Sequence, residues 1–425
     1  EPYRRQRQMC IRDSWRDGME EFGRACATIA PPLPWNLGTP FGWNSWAKME
    51  FRLSYEKVLE VSDFFKENLQ NNNFENNGIV YIGMDAGWAK MSDEQLADIA
   101  RHCKANGQKA GIYFTPFSDW GKDPEAYING NSGYKCKDAY LYANGKTQNM
   151  VAGGLAMDPT HPAIKERIRE TAERFKRLGY EYIKIDFLTH GCAEADYYYD
   201  PEVQTGMQAY NKGMAYLLEQ MEGMYITMAI SPLFPSQYAH SRRIACDAWA
   251  GIGDTEYTLN SLTYGWWLNQ VYTYNDPDHL LLEPVSDGEN RARITSGVIT
   301  GIFMNGDDLS YISGIQVAKD KARKFLTNED INAIAKMGKS FRPVNGNMDG
   351  ADFLFMHDTG KEVYLTAFNY SGYDLTYDLP LSRLGLRESS TYKAKELWSG
   401  KEVKFKKNVR VCIPKKDVLV FRITR

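Results

Sequence analysis

The chain has few residues of the kinds that bind metals or build a disulfide framework. Its 425 residues include only seven cysteines and six histidines, and neither type forms a cluster. The cysteines are odd in number and never follow a C-x-x-C spacing, which argues against a disulfide scaffold and against a zinc site. No H-E-x-x-H sequence occurs either. We therefore expect neither a metal nor any other cofactor.

The sequence also lacks an excess of positive charge and a long apolar run. The formal net charge is −3 and the isoelectric point is near 6.2, so no basic field exists that would attract nucleic acid. No apolar segment approaches the roughly 20 residues that are needed to cross a bilayer. Charged residues make up 25% of the chain and hydrophobic residues 43%, as in an ordinary globular protein. We expect no nucleic-acid or membrane partner, and the oligomeric state stays open.

The first residues resemble a sequencing remnant. Residues 9–14 read Met-Cys-Ile-Arg-Asp-Ser, which is similar to the translation of a transposon-end adapter at the end of a metagenomic contig. We interpret residues 1–14 as such an artefact, exclude them from fold reasoning, and expect the true amino terminus to be missing. Residues 15–40, which include a proline-rich stretch, are interpreted as a linker or as the remnant of a lost amino-terminal domain.

From residue 41 onward, strand-like and helix-like segments alternate. Helical periodicity occurs at 54–68, 93–106, 162–178 and 205–221. The eight strand candidates are residues 41–46, 79–88, 109–117, 180–188, 225–231, 242–250, 272–282 and 297–305. Alternation of this kind favours a parallel sheet, and eight units favour a closed barrel. A doubly wound open sheet is the alternative, but no Gly-x-Gly-x-x-Gly follows an early strand.

Beyond residue 345 the pattern changes to short alternating runs, separated by turns rich in Gly, Asn and Lys. No helical period remains, which is typical of a small antiparallel β-sandwich. The predicted fold is therefore α/β: a (β/α)8 TIM barrel at residues 41–345, followed by a β-sandwich at residues 346–425.

The fourth strand candidate carries two charges at alternate positions. Because side chains alternate along a strand, Lys184 and Asp186 share one face of an otherwise apolar segment. Burying such charges is costly unless they meet partners. Further along, Arg243 and Asp247 repeat the combination of a cation and a carboxylate. The pattern predicts two carboxylates, each with its own cation, for nucleophilic and acid/base chemistry; two structural salt bridges are the alternative.

Acidic residues follow five of the eight predicted strands. Barrel enzymes carry their chemistry at the carboxyl ends of the strands. A single acid there could simply cap a helix, but mutual repulsion would penalise five of them unless the cluster had a use. Trp43, Trp46, Trp88 and Tyr113 are predicted to lie nearby. Carboxylates can bind the hydroxyl groups of a sugar, and aromatic rings can cover its C–H faces, so such a pocket suits a sugar.

Several motifs carry a resemblance to a known family. They are G-W-N-S-W at 42–46, Y-I-G-M-D-A-G-W at 81–88, G-I-Y at 111–113, K-I-D at 184–186, R-I-A-C-D at 243–247, N-D-P-D at 275–278, and the apolar segment 301–309 that ends in N-G-D-D-L. From residue 41 to its end, the chain resembles the α-galactosidase-type, melibiase-like glycoside hydrolases of clan D, families 27 and 36. Each motif is weak alone, and their shared order makes the resemblance specific.

The resemblance implies a retaining exo-glycosidase that hydrolyses terminal α-galactosyl or related glycosides. It makes Asp186 the nucleophile and Asp247 the general acid/base, which would require carboxyl groups about 5–5.5 Å apart. The glycone-binding positions that it implies are Trp46, Asp85, Tyr113, Lys184, Arg243 and Asp278. A cation at Arg243 would favour ionised Asp247, and the resemblance places that arginine on substrate hydroxyl groups. A secreted or periplasmic bacterial role is also implied.

The chain departs from the family at the position after Asp85. Ala86 stands where the family usually has a second aspartate, and that pair grips the hydroxyl groups that mark galactose. The sugar therefore stays open between galactose, N-acetylgalactosamine, β-L-arabinopyranose and a glucan end. Two other classes remain: a Schiff-base lyase that uses Lys184, and a catalytically silent sugar-binding protein.

Overall fold

The computed structural model describes residues 14–130, 133–346 and 349–425. Residues 1–13, which we interpret as an artefact, lie outside the described residues. The segment interpreted as a linker contains a helix that we did not predict, Trp15–Ile29. Two of its rings pack edge-on against the barrel, Trp15 on Trp266 and Phe22 on Trp267. The domain boundaries stay predictions.

Eight parallel strands form the first sheet. They are β1 Phe41–Asn44, β2 Tyr81–Gly83, β3 Lys109–Phe114, β4 Tyr180–Ile185, β5 Tyr225–Met228, β6 Ser241–Arg243, β7 Tyr274–Asp276 and β8 Phe303–Asn305. Each strand pairs with the next along the chain as far as β7, and β8 pairs with β1. Parallel bridges from Asn275 to Gly301 and from Leu280 to Asn305 join the segments around β7 and β8. The predicted barrel is confirmed.

Helices follow most of these strands. They are Tyr55–Phe64, which continues as a π turn at Phe65–Leu69, then Asp93–Ala105, Pro162–Leu178, Gly206–Gln220, Ile252–Gly265, Asp287–Val298, Gln316–Phe325 and Glu329–Met337, with short helices at Trp46–Met49 and Cys136–Ala139. Short 3₁₀ turns occur at Glu50–Arg52, Gln70–Asn72, Ala86–Lys90, Ile128–Gly130, Val151–Gly153, Leu188–Cys192, Trp266–Gln270 and Leu381–Leu384. The four predicted helices are all present.

Local chemistry explains where these helices begin and end. A capping box between Ser92 and Gln95 starts one helix, and the left-handed Gly179 ends another. The last barrel strand starts later than predicted, because Gly297 still belongs to a helix. Helix and strand are both buried there, so apolar content alone could not separate them.

The segment between β3 and β4 adds two small antiparallel pairs. Ser118–Asp119 pairs with Leu155–Ala156, and Tyr142–Ala143 pairs with Lys146–Thr147. The sequence pattern did not predict them, because two-residue strands are too short to show a period.

The carboxyl-terminal region forms one antiparallel sheet. In spatial order its strands are Arg342–Pro343, Leu354–Asp358, Glu362–Asn369, Asp417–Thr424, Thr391–Glu396, Glu402–Lys406, Asn408–Ile413 and Leu375–Pro380. Apolar side chains from both ends of the sheet, including Leu354, Val363 and Val409, share one core, so the sheet curls over itself. The short alternating runs that predict strands in this region are present as strands.

The inside of the barrel has a layer of aromatic rings below its carboxyl end. Tyr182 and Tyr225 stack with ring centroids 5.4 Å apart, and Tyr81 packs beside them. On β4, Tyr182 is followed on the same face by Lys184, while Ile183 and Ile185 belong to the outer core. The alternation that we predicted for this strand therefore brings Lys184 and Asp186 to the carboxyl end of the barrel.

Candidate active site

A cavity of about 670 Å³ opens at the carboxyl ends of the barrel strands. Six of the eight predicted site residues line it, namely Trp46, Asp85, Tyr113, Lys184, Asp186 and Asp247. Asp186 is buried, with 7% of its surface exposed, whereas 53% of the Asp247 side chain is exposed. One carboxylate therefore belongs to the floor of the cavity and the other to its rim.

Asp186 sits immediately after β4 and still follows the sheet. Its N–H donates to the Phe114 carbonyl at 3.0 Å. Its two carboxylate oxygens accept from the Phe187 N–H at 2.7 Å and from the Tyr113 hydroxyl at 3.4 Å. Phe187 has a φ of 54°, a left-handed conformation that turns the chain away from the strand. Burial raises the pKa of Asp186, and the Lys184 ammonium opposes that rise.

Lys184 makes its direct ion pair with Asp85. The Lys184 Nζ lies 2.8 Å from Asp85 Oδ2, which also accepts from the Asn44 side chain at 3.1 Å. Burial disfavours both charges, but each stabilises the other, so the pKa of Asp85 lies below its usual value and that of Lys184 above it. The sequence pattern assigned Lys184 to Asp186. That assignment was wrong for the direct contact, since Lys184 acts on Asp186 only through its charge.

Arg243 and Asp278 do not line the cavity but are buried next to Asp247. Arg243 Nη2 donates to Asp247 Oδ1 at 2.9 Å, and its Nη1 lies 3.0 Å from Asp278 Oδ1. The other Asp278 oxygen accepts from the Ala248 N–H at 2.9 Å. Burial disfavours the charge of Asp278, but the Arg243 guanidinium holds the pKa of Asp278 well below the usual range. The predicted contact between Arg243 and Asp247 is present.

Tyr113 contacts Asp186 and lies within range of the charge of Asp247. Burial is the main reason why its pKa lies far above the usual value, and the negative charges of Asp186, Asp85 and Asp247 raise it further. The charges of Asp186 and Asp247 thus both act on the Tyr113 hydroxyl. The two carboxylates, which follow β4 and β6, thus line one cavity although many residues separate them in the sequence.

Several apolar residues of the cavity were not predicted. Trp120, Phe187 and Ile230 line it, and the Trp120 ring meets Phe187 edge-on at 4.7 Å. Trp120 belongs to the segment between β3 and β4, where the sequence pattern shows no period. Trp88 lines the cavity as expected, but Trp43 is fully buried and donates to the Asp307 carbonyl instead, so its predicted place in the pocket was wrong.

Within residues 14–130, 133–346 and 349–425, no three His, Cys, Asp or Glu side chains are arranged to hold a metal ion. No helix in the same residues has the length and apolar content that a membrane crossing requires.

Comparisons with known proteins agree with this arrangement. Residues 355–423 match the family described as the alpha galactosidase C-terminal beta sandwich domain. The chain is 22% identical over 401 residues to Alpha-galactosidase A of Aspergillus niger, an alignment that covers 91% of the chain and 69% of that protein.

Two solved structures share the fold. A GH27 β-L-arabinopyranosidase from Geobacillus stearothermophilus, crystallised with arabinose, has a TM-score of 0.71 at 14% identity, with 92% of this chain and 98% of that one covered. Alpha-galactosidase I from Mortierella vinacea has a TM-score of 0.63 at 12% identity, with 91% and 97% covered. Together with the sequence relatives, these structures confirm the predicted resemblance to α-galactosidase-type glycoside hydrolases.

Proposed function

We propose that this α-galactosidase-type glycoside hydrolase is a retaining exo-glycosidase, with Asp186 as nucleophile and Asp247 as general acid/base. Its substrate is a terminal α-galactosyl group or a closely related sugar. The observation that carries the proposal is that a buried and an exposed carboxylate line one cavity, with Tyr113 within reach of both charges. Retaining glycosidases need two carboxyl groups that act on the same bond.

The first step forms a covalent glycosyl-enzyme. The Asp186 carboxylate attacks the anomeric carbon, while Asp247 donates its proton to the glycosidic oxygen and the alcohol leaves. In the second step, Asp247 takes a proton from a water molecule. That water attacks the anomeric carbon and releases Asp186 as a carboxylate. Two displacements return the sugar with its original anomeric configuration.

The surroundings of the two carboxylates suit these roles. Asp186 must be ionised, and the positive charges of Lys184 and Arg243 favour its anion against the effect of burial. Asp247 must lose and regain a proton, and its exposed side chain can exchange protons with water. Arg243 donates to Asp247 Oδ1 and so orients this carboxylate at the rim of the cavity.

The remaining residues are proposed to hold the glycone. Asp85 accepts hydrogen bonds and Lys184 donates them at the floor of the cavity, and Trp46 offers a ring to a C–H face. Tyr113 also lines the cavity, whereas Arg243 and Asp278 lie behind its lining and support Asp247. Lys184 is ion-paired and its pKa is raised, so it is a poor nucleophile, which disfavours the Schiff-base lyase.

A second glycone, β-L-arabinopyranose, is favoured by one observation. The methyl group of Ala86 lines the cavity where the resemblance implies a second carboxylate. The site therefore offers one acceptor fewer to the hydroxyl groups of galactose. Arabinopyranose lacks the exocyclic CH₂OH group of galactose, and the Geobacillus relative is described as acting on it.

Activity toward a panel of nitrophenyl glycosides tests the proposal. The panel contains the α-galactoside, the α-N-acetylgalactosaminide, the β-L-arabinopyranoside and the α-glucoside, with an Asp186→Asn preparation as the blank. We expect the highest kcat/KM with the α-galactoside or the β-L-arabinopyranoside. Proton NMR of the first-formed sugar should show retention. Inversion, or no turnover of any substrate, would refute the proposal.

A further inference from the structure

Arg293 is a buried cation outside the predicted site. It lies on the helix Asp287–Val298, which follows β7, and none of its surface is exposed. Among the described residues, its guanidinium forms no ion pair with a carboxylate. Burial lowers the pKa of Arg293 to about 10, which reflects the cost of a desolvated charge. The contacts of the guanidinium must therefore offset the cost of burying its charge.

The guanidinium is a donor to the backbone of two loops that carry site residues. Its Nε donates to the Trp249 carbonyl at 2.9 Å. Its Nη2 donates to the His279 carbonyl at 3.0 Å and to the Pro277 carbonyl at 3.4 Å. Trp249 is two residues after Asp247, and the other two residues flank Asp278. One side chain therefore joins the loop of the general acid/base to the loop that supports Arg243.

The backbone at Asp278 is strained and needs such support. Its φ is 72°, a left-handed value that is unfavourable for a residue with a side chain. The carbonyls on both sides of Asp278 accept from Arg293, and its own carboxylate accepts from the Ala248 N–H. The guanidinium is itself oriented by the Ser296 hydroxyl, at 3.1 Å from Nη1.

We propose that Arg293 is a positioning residue for acid/base catalysis. It holds residues 247–249 and 277–279 in one arrangement and so keeps Asp247 where it can protonate the bond that Asp186 attacks. The inference rests on the proposed function of Asp247. Arg293 itself touches neither the cavity nor the substrate.

Leaving-group dependence separates this role from a general loss of stability. A poor leaving group such as an alkyl alcohol needs the proton of Asp247, whereas dinitrophenolate leaves without it. Misplacing a catalytic group by about 1 Å costs on the order of 100-fold. We therefore expect Arg293→Met to lower kcat/KM about 100-fold for an alkyl glycoside, but less than about tenfold for the dinitrophenyl glycoside. Arg293→Lys, which can still donate to one carbonyl, should lie between.

Arg291→Met is the matched control. Arg291 lies on the same helix but binds Asp417 of the carboxyl-terminal sheet. Its loss should lower the melting temperature without changing the ratio of kcat/KM between the two substrates. Asp247→Asn is the positive reference, and it should show the strongest leaving-group dependence.

Each outcome decides one claim. Equal losses on both substrates in folded Arg293→Met would overturn the positioning role; if that variant does not fold, the same ratio in Arg293→Lys decides it. No turnover by the unsubstituted enzyme would overturn the proposed function and this inference with it. An Asp247→Asn variant without leaving-group dependence, in an otherwise active enzyme, would refute the role of Asp247 alone.

Discussion

The two ends of the barrel interior differ in how they are held together. The lower layer is a group of rings and apolar chains, including Tyr81, Tyr182 and Met304. The upper layer, at the carboxyl ends, contains ion pairs such as Lys184 with Asp85. Strand β4 supplies both layers from successive inward positions. The packed core and the charged cavity are thus only two residues apart along this strand, at Tyr182 and Lys184.

This difference shows where stability and function are separated. The lower layer gains free energy because apolar area leaves water. In the upper layer, desolvation of the charges can exceed their mutual attraction, so buried ion pairs are weak evidence for stability. We infer that the upper layer is retained for what it does to a substrate. Substitutions in the two layers should therefore have different consequences.

The largest effect is expected at Asp186. Asp186→Asn removes the nucleophile and should lower kcat by on the order of 10⁴-fold or more. The melting temperature should hardly change, because burial already disfavours the charge of this carboxylate and raises its pKa. In Asp186→Gly, added azide or formate should restore part of the turnover. If Asp186→Asn kept full activity, the upper layer would not be the layer that is responsible for catalysis.

A smaller loss is expected at Asp247. Asp247→Asn should lower kcat/KM for alkyl glycosides by about 10²–10⁴-fold, the usual contribution of a general acid. Because an asparagine at this exposed position can still accept from Arg243, the free energy of unfolding should change by less than about 1 kcal/mol. Azide should accelerate turnover of an activated substrate. A uniform loss on all leaving groups would contradict the assignment.

Removing either partner of the Lys184–Asp85 ion pair should shift the pH profile of kcat/KM, and the two shifts should have opposite directions. The acid limb of kcat/KM reports the ionisation of Asp186, since only the anion attacks. Lys184 lowers the pKa of Asp186 and Asp85 raises it. Lys184→Met should therefore move the acid limb to higher pH, and Asp85→Asn should move it to lower pH, each by about one unit.

A lysine at the amino end of the barrel serves as the control for this shift. Lys109 pairs with Glu181 at that end, and Lys109→Met should leave the acid limb unchanged. Shifts in the same direction for Lys184→Met and Asp85→Asn would contradict the assignment of the limb to Asp186.

The smallest effect is expected in the lower layer. Met304→Leu conserves volume in a buried position, so the free energy of unfolding should fall by about 1.5 kcal/mol or less. No charge near the cavity changes, and kcat/KM should stay close to that of the unsubstituted enzyme. A fall in kcat/KM of about tenfold would mean that the lower layer also tunes the site.

Much of the site could be predicted because strand period and motif order are local properties. The positions of Asp85, Lys184 and Asp186 at the ends of strands followed from alternation, and six predicted residues do line the cavity. Trp120 was missed because it lies in a segment without a period. Arg293 was missed because a buried arginine that binds carbonyls leaves no pattern in its own helix.

The sequence by itself determined the order of the eight barrel strands and of four helices, the sandwich that follows them, and which residues face inward on β4. Each of these depends on neighbours within a few positions, so the period of the side chains suffices. Only the tertiary structure decided that Lys184 binds Asp85 rather than Asp186, and that Arg293 ties residues 247–249 to residues 277–279. Those contacts join distant parts of the chain, and closure of the barrel alone brings their charges and carbonyls within bonding distance.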